Sequence, residues 1–82
     1  PNPVRAGDPV LLAAPGPPVE GASASIIDAA GRSVRRLAPG GDGRFLWDGR
    51  DDAGRRLAAG VYFARIQRPG KGPIGGPILV VR

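Results

Sequence analysis

The stretch from Trp47 to Ile66, WDGRDDAGRRLAAGVYFARI, most constrains what this chain can fold into. It holds the only Trp, the only Tyr and one of the two Phe residues, set around a loop dense in Asp, Gly and Arg. Large aromatic side chains bury roughly 150–250 Å² each. A chain of 82 residues is therefore expected to build its core around these rings. The residues between Trp47 and Leu57 tolerate positive φ or form Asx-turns. The stretch reads as a β-strand, a structured reversal and a second β-strand.

The length predicts one domain over residues 1–82, burying about 60–65% of its unfolded surface. The absence of Cys removes disulfides and thiolate metal sites. The absence of His removes most zinc chemistry, Ser-His-Asp triads and imidazole acid–base catalysis. The 14 Gly and 10 Pro alone would suggest low complexity. The 41% of apolar residues, however, arrive in short, spaced runs, which points to a turn-rich all-β domain. The chain lacks Met, which predicts that it is cut from a longer precursor. It shows no signal-peptide pattern and no apolar run near the roughly 18 residues of a membrane span.

The net charge of +5 comes from 11 Arg and one Lys against seven acidic residues. Such a balance fits nucleic acid or an acidic polymer as partner. The Arg residues are scattered, though, and the one tight cluster, Arg32, Arg35 and Arg36, has no aromatic stacking platform beside it. A solvated basic face is expected, with no nucleic-acid partner.

In chain order, residues 1–9 are punctuated by Pro and are excluded from a central strand. Val10–Ala14 reads as a strand, and Pro15–Pro18 as a stiff polyproline spacer of about 12 Å. Ala22–Asp28 alternates, with Ala22, Ala24 and Ile26 on one face and Ser23, Ser25 and Ile27 on the other. Ala29–Arg32 reads as a hairpin loop with Gly31 in a left-handed conformation. Ser33–Leu37 returns as a strand in which Val34 and Leu37, three apart, both face inward only across a bulge. Pro39–Gly43 is a turn. Arg44–Trp47 is a strand, and Val61–Gln67 is the strongest β-forming run. Arg68–Gly76 reads as a long Gly/Pro loop before a final strand, Pro77–Val81. Six or seven strands with regular turn signals describe a small antiparallel β-sandwich.

Four features carry a family resemblance: Asn2-Pro3, then IIDAAGRSVRRL (Ile26–Leu37), then WDGRDDAGRRLAAGVYFARI, then the terminal ILVVR. Across nearly the whole chain they resemble the immunoglobulin-like domain of flagellar hook-capping (FlgD-like) proteins. They are equally similar to the C-terminal sorting domains of type IX secretion cargo. The resemblance implies an Ig-like sandwich, outside the cell or on its surface, without catalytic activity. Pro15–Pro18 stands where the family has a shorter turn. Whether the first strand pairs within its own chain or with a neighbouring copy therefore stays open.

The expected core is Ile26, Val34, Leu37, Phe45, Trp47, Leu57, Tyr62 and Ile66. Asp48, Gly49, Asp51, Gly54 and Gly60 are expected to shape the turns. Three carboxylates, on Asp48, Asp51 and Asp52, also invite a calcium reading, but the ligand spacing is wrong and Arg50, Arg55 and Arg56 oppose a cation. Asp51 and Asp52 as a glycosidase-like pair would need a cleft that adjacent residues on a small loop do not form. Trp47 as a sugar-stacking platform is weaker than Trp47 as core plug. Tyr62 and Phe63 point to opposite faces, so one lies near a surface. No N-x-[ST] glycosylation site exists. No cofactor and no small-molecule ligand is expected.

Val10, Leu11 and Leu12, with Ile78, Leu79 and Val80, form two apolar strands suited to pairing with another chain. Three functions follow for comparison. One is a structural unit that self-associates into a filament or surface layer through strand pairing. Another is the sorting tail of a larger type IX secreted protein, or a hook-cap-like domain. The third, a calcium-binding or catalytic module, has the weakest basis. The sequence favours a non-catalytic extracellular module acting in assembly or attachment, with self-association into a filament or surface layer ahead of the other two, and its expected partners are other copies of itself or a larger parent chain.

Overall fold

Strict alternation of exposed and buried residues from Val61 to Gln67 makes β6 the organising strand of a computed structural model that describes residues 3–5 and 7–81. Along β6 (Gly60–Arg68) Tyr62, Ala64 and Ile66 are buried while Val61, Phe63 and Arg65 face out. It is preceded by β1 (Val4–Arg5), β2 (Val10–Leu12), β3 (Ser23–Ile27), β4 (Ser33–Leu37) and β5 (Phe45–Trp47), and followed by β7 (Lys71–Val81). The described residues contain no helix. The strands form a five-stranded sheet, β1-β7-β6-β3-β4, and a two-stranded sheet, β2-β5.

The inward faces of both sheets merge into one apolar cluster. Val10, Phe45 and Trp47 come from the small sheet, and Ala24, Ile26, Leu37, Tyr62, Ile66, Ile78 and Val80 from the large one. Trp47, Phe45 and Ile26 are the largest side chains wholly removed from solvent. The chain is thus an all-β, Ig-like sandwich of seven strands. Among the described residues, the strand pairings are antiparallel except one: β1 runs parallel to β7, with Val4 opposite Val80. Two residues between prolines give no periodic signal, and their pairing alone marks this edge strand.

The β3–β4 hairpin carries the bulge its spacing requires. Ile26 pairs with Arg35 and Ile27 with Ser33, which leaves Val34 as the extra residue, half-buried against the core, while Leu37 is buried. Two segments depart from expectation. Arg68–Gly76 is not a loop: Pro69-Gly70 makes a two-residue turn, and β7 starts at Lys71, antiparallel to β6. Pro73 is tolerated there because β7 lies at the sheet edge over this length, with β1 pairing only Val80 and Val81. Gly75 is required by close approach, since a Cβ at that position would drive into the Ala64 carbonyl.

The Pro15–Pro18 segment is likewise not a continuous polyproline rod. Gly16 adopts φ +87°, far from the roughly −75° of polyproline II. Pro18 then lies against Gly43, where an added Cβ would come within 2.6 Å of the proline ring. The segment closes over the hollow that leads to Phe45 and Ile66.

Candidate functional site

The aspartate-rich loop is built from short-range hydrogen bonds that Asp, Gly and Arg supply in a repeated pattern. Asp51 Oδ1 accepts from the N–H groups of Ala53 (3.0 Å) and Arg55 (2.9 Å). Asp28 Oδ1 accepts from Ala30 (3.0 Å) and Arg32 (2.9 Å) in the same way. In each turn the first residue's N–H reaches the carbonyl four residues on, and the glycine N–H returns to the first carbonyl. Both turns have the sequence Asp-x-Ala-Gly-Arg, with Gly31 and Gly54 at φ +85° and +84°. Gly40–Arg44 closes with the same two backbone bonds, its Asp42 capping the Arg44 N–H. This internal echo stands plainly in the sequence, where it could have been found.

These bonds depress the acids' affinity for protons. The Arg32 N–H bond holds the Asp28 carboxyl below the ordinary carboxylate value, and the Arg55 N–H bond does the same for Asp51. The Arg32 and Arg55 guanidiniums add ion pairs at 3.0 Å and 3.5 Å.

Arg35 then ties the loop to the large sheet. Its Nη1 donates to Asp48 Oδ1 at 2.8 Å and to the Arg50 carbonyl at 3.2 Å, while its Nε lies 3.8 Å from Asp52 Oδ1. The same Arg50 carbonyl accepts the Trp47 indole N–H at 3.0 Å. Asp52 closes the edge of β4: its N–H donates to the Val34 carbonyl, and its Oδ1 accepts the Arg36 N–H. Gly49 (φ +78°) lets the N-terminal segment pass so closely that a Cβ there would sit 2.8 Å from the Gly7 nitrogen. The three carboxylates of the loop therefore face N–H groups and guanidiniums, and among the described residues no cluster is arranged to hold a metal ion.

Of the other residues singled out, Leu57 packs half-buried against the core, and Gly60 begins β6 opposite Val80 rather than in the turn. Tyr62 points inward and donates its hydroxyl to the Ala58 carbonyl at 2.7 Å; burial raises its pKa. Phe63 points outward, 44% exposed. The strand Val10–Leu12 pairs with Phe45–Trp47 of its own chain. Val10, Ile78 and Val80 are core residues and cannot offer side chains to a partner, and Leu12 is half-buried. Leu11, beside Leu46 on the outside of the small sheet, and Leu79, beside Val61 on the outside of the large one, are the exposed members. The outward row Ile27, Phe63 and Pro77 adjoins the Val61–Leu79 pair. Among the described residues, no helix is long and apolar enough to cross a membrane.

Comparison with known proteins adds to this geometry. No curated protein matches the chain. Among solved structures it is similar to PorZ, described as an essential bacterial surface component of the type IX secretion system of Porphyromonas gingivalis. The TM-score is 0.75 and the identity 29%, over 100% of this chain but only 11% of PorZ. The model of the FlgD Ig-like domain matches residues 6–71, which takes in the first sheet pairing, the bulged hairpin, the aspartate loop and β6. The chain belongs to the FlgD Ig-like domain family.

Proposed function

We propose that the chain is a non-catalytic contact module of a larger protein exported to the cell envelope or surface. The observation that carries this reading is the likeness to PorZ, in which an equivalent of the whole chain makes up 11% of a surface component of a secretion system. The wiring of the loop supports it: Asp48, Asp51 and Asp52 are spent on turns and ties. The outward apolar group of Val61, Phe63 and Leu79 is the surface such a module would turn toward its parent chain or the export machinery. A reporter fused ahead of residues 1–82 tests this in a host with a working type IX system. Surface delivery of the fusion is expected, and its retention inside the cell would remove the reading.

A second reading, self-association into a filament or layer through strand pairing, draws on the β7 edge. There Lys71–Gly76 lies at the margin of the large sheet, beyond the reach of β1. It predicts oligomers by light scattering that dissociate when Gly72 is replaced by Pro. A strictly monomeric chain at high concentration counts against it.

A further inference from the structure

We propose that the outer face of β3 is a binding site for a phosphate-class oxyanion, clamped between Arg36 and Arg65. Ser25 pairs with Arg36 of β4 on one side and with Arg65 of β6 on the other, so the three share one row on the outward face of the sheet. Strands lie about 4.8 Å apart, which sets the two arginine Cα atoms about 10 Å from one another across the serine. Long arginine stems close that distance onto a single tetrahedral anion, with the Ser25 hydroxyl beneath it as a further donor. A hollow of about 350 Å³ lies over this row, lined also by Ser23, Ser33 and Gln67.

Among the described residues, four guanidiniums already have an acid, and those of Arg50 and Arg68 donate to the carbonyls of Gly54 and Gly72. Arg32, Arg35, Arg44 and Arg55 each form an ion pair with an aspartate. Among the described residues, the side chains of Arg36 and Arg65 form none, and only the backbone N–H of Arg36 meets an acid, Asp52. The contrast within the Arg35-Arg36 pair is sharp, because the first is consumed by the loop and the second faces solvent over Ser25. Like charges on one face of a sheet repel. An anion between them reverses that repulsion and gains charge-assisted bonds, which a planar guanidinium makes in pairs to phosphate oxygens. A second basic hollow adjoins the first through Ser23, Arg65 and Gln67, and adds Arg68 and Lys71. The positive field thus continues along the sheet toward the β6–β7 turn.

Titration of the ¹⁵N-labelled chain with inorganic phosphate, at ionic strength held constant with chloride, tests the site. Saturable shifts confined to Ser25, Arg36, Arg65 and their arginine side-chain N–H groups are expected. Arg36→Gln and Arg65→Gln should each weaken binding about tenfold, with Arg44→Gln, in the turn before β5, leaving it unchanged. A parallel titration with glucose 6-phosphate distinguishes the source. Equal or tighter binding of the ester marks a phosphate group carried on a larger molecule, whereas binding of the free ion alone marks a small-anion site. Shifts spread over all arginines, no response beyond that of chloride, or equal weakening by Arg44→Gln would overturn the proposal.

Discussion

Replacing Trp47 by Phe probes the core where its packing and its polar ties meet. The indole is 1% exposed and paired on its strand with Val10. Phe buries about 50 Å² less apolar surface than Trp, worth about 1.2 kcal/mol at about 25 cal/mol per Å². The indole N–H bond to the Arg50 carbonyl is also lost, a net effect of about 1 kcal/mol. That carbonyl keeps the Arg35 donor at 3.2 Å, so it is not left without a partner. The residual gap adds a fraction of a kcal/mol, for a total of about 2–3 kcal/mol. A domain of this length has a total stability of about 4–12 kcal/mol, so the variant folds but melts roughly 8–24 °C lower. Trp47→Ala, at about 3–5 kcal/mol, removes most of the margin. Urea unfolding followed by far-UV circular dichroism, with calorimetry, reads both values. A loss below about 0.5 kcal/mol for Trp47→Phe would refute the assignment of this ring as the core's anchor.

Two other perturbations separate conformation from packing and charge from geometry. Gly31→Ala and Gly49→Ala both force a left-handed residue, at about 1–2 kcal/mol, but only Gly49 has the Gly7 backbone against its new Cβ. Urea midpoints should place Gly49→Ala at least about 1 kcal/mol below Gly31→Ala, and equal losses would contradict the close approach of the N-terminal segment. Asp28 and Asp51 have folded pKa values below their unfolded ones, so their contribution is present above the ordinary carboxylate pKa and is lost as pH falls through the folded value. Melting temperature should therefore drop as pH falls from about 4 toward 2. The Asp28→Asn/Asp51→Asn double variant, which keeps the turn acceptors, should show a shallower drop; an unchanged profile would contradict the depressed values.

How much of this could be read from the residues follows from how local each feature is. The alternation of Ala24 and Ile26 against Ser23 and Ser25 is a property of one strand, and it shows which face is buried. The bulge at Val34 follows from two apolar residues three apart. The turns at Asp28 and Asp51 close within five residues, so the identities of Asp, Gly and Arg suffice. Lys71–Gly76 misleads because Gly and Pro there serve an edge strand and a tight backbone contact, not a loop, and only the register with β6 reveals it. Gly16 bends a segment whose prolines alone describe a rod. The Arg35 tie spans thirteen residues to Asp48 and depends on tertiary placement, as does the row of Arg36, Ser25 and Arg65.

Hydrogen exchange at the loop tests most directly whether the acids and arginines serve as a structural clamp. The Trp47 indole N–H, bonded to Arg50, and the Arg36 N–H, bonded to Asp52, are the reporters, compared with the amides of Tyr62 and Ile66 in β6. Opening free energies within about 1 kcal/mol of the β6 values are predicted, because the loop would then open only with the whole sandwich. Exchange of both reporters at the rate of an unprotected loop, with β6 still protected, would contradict the account.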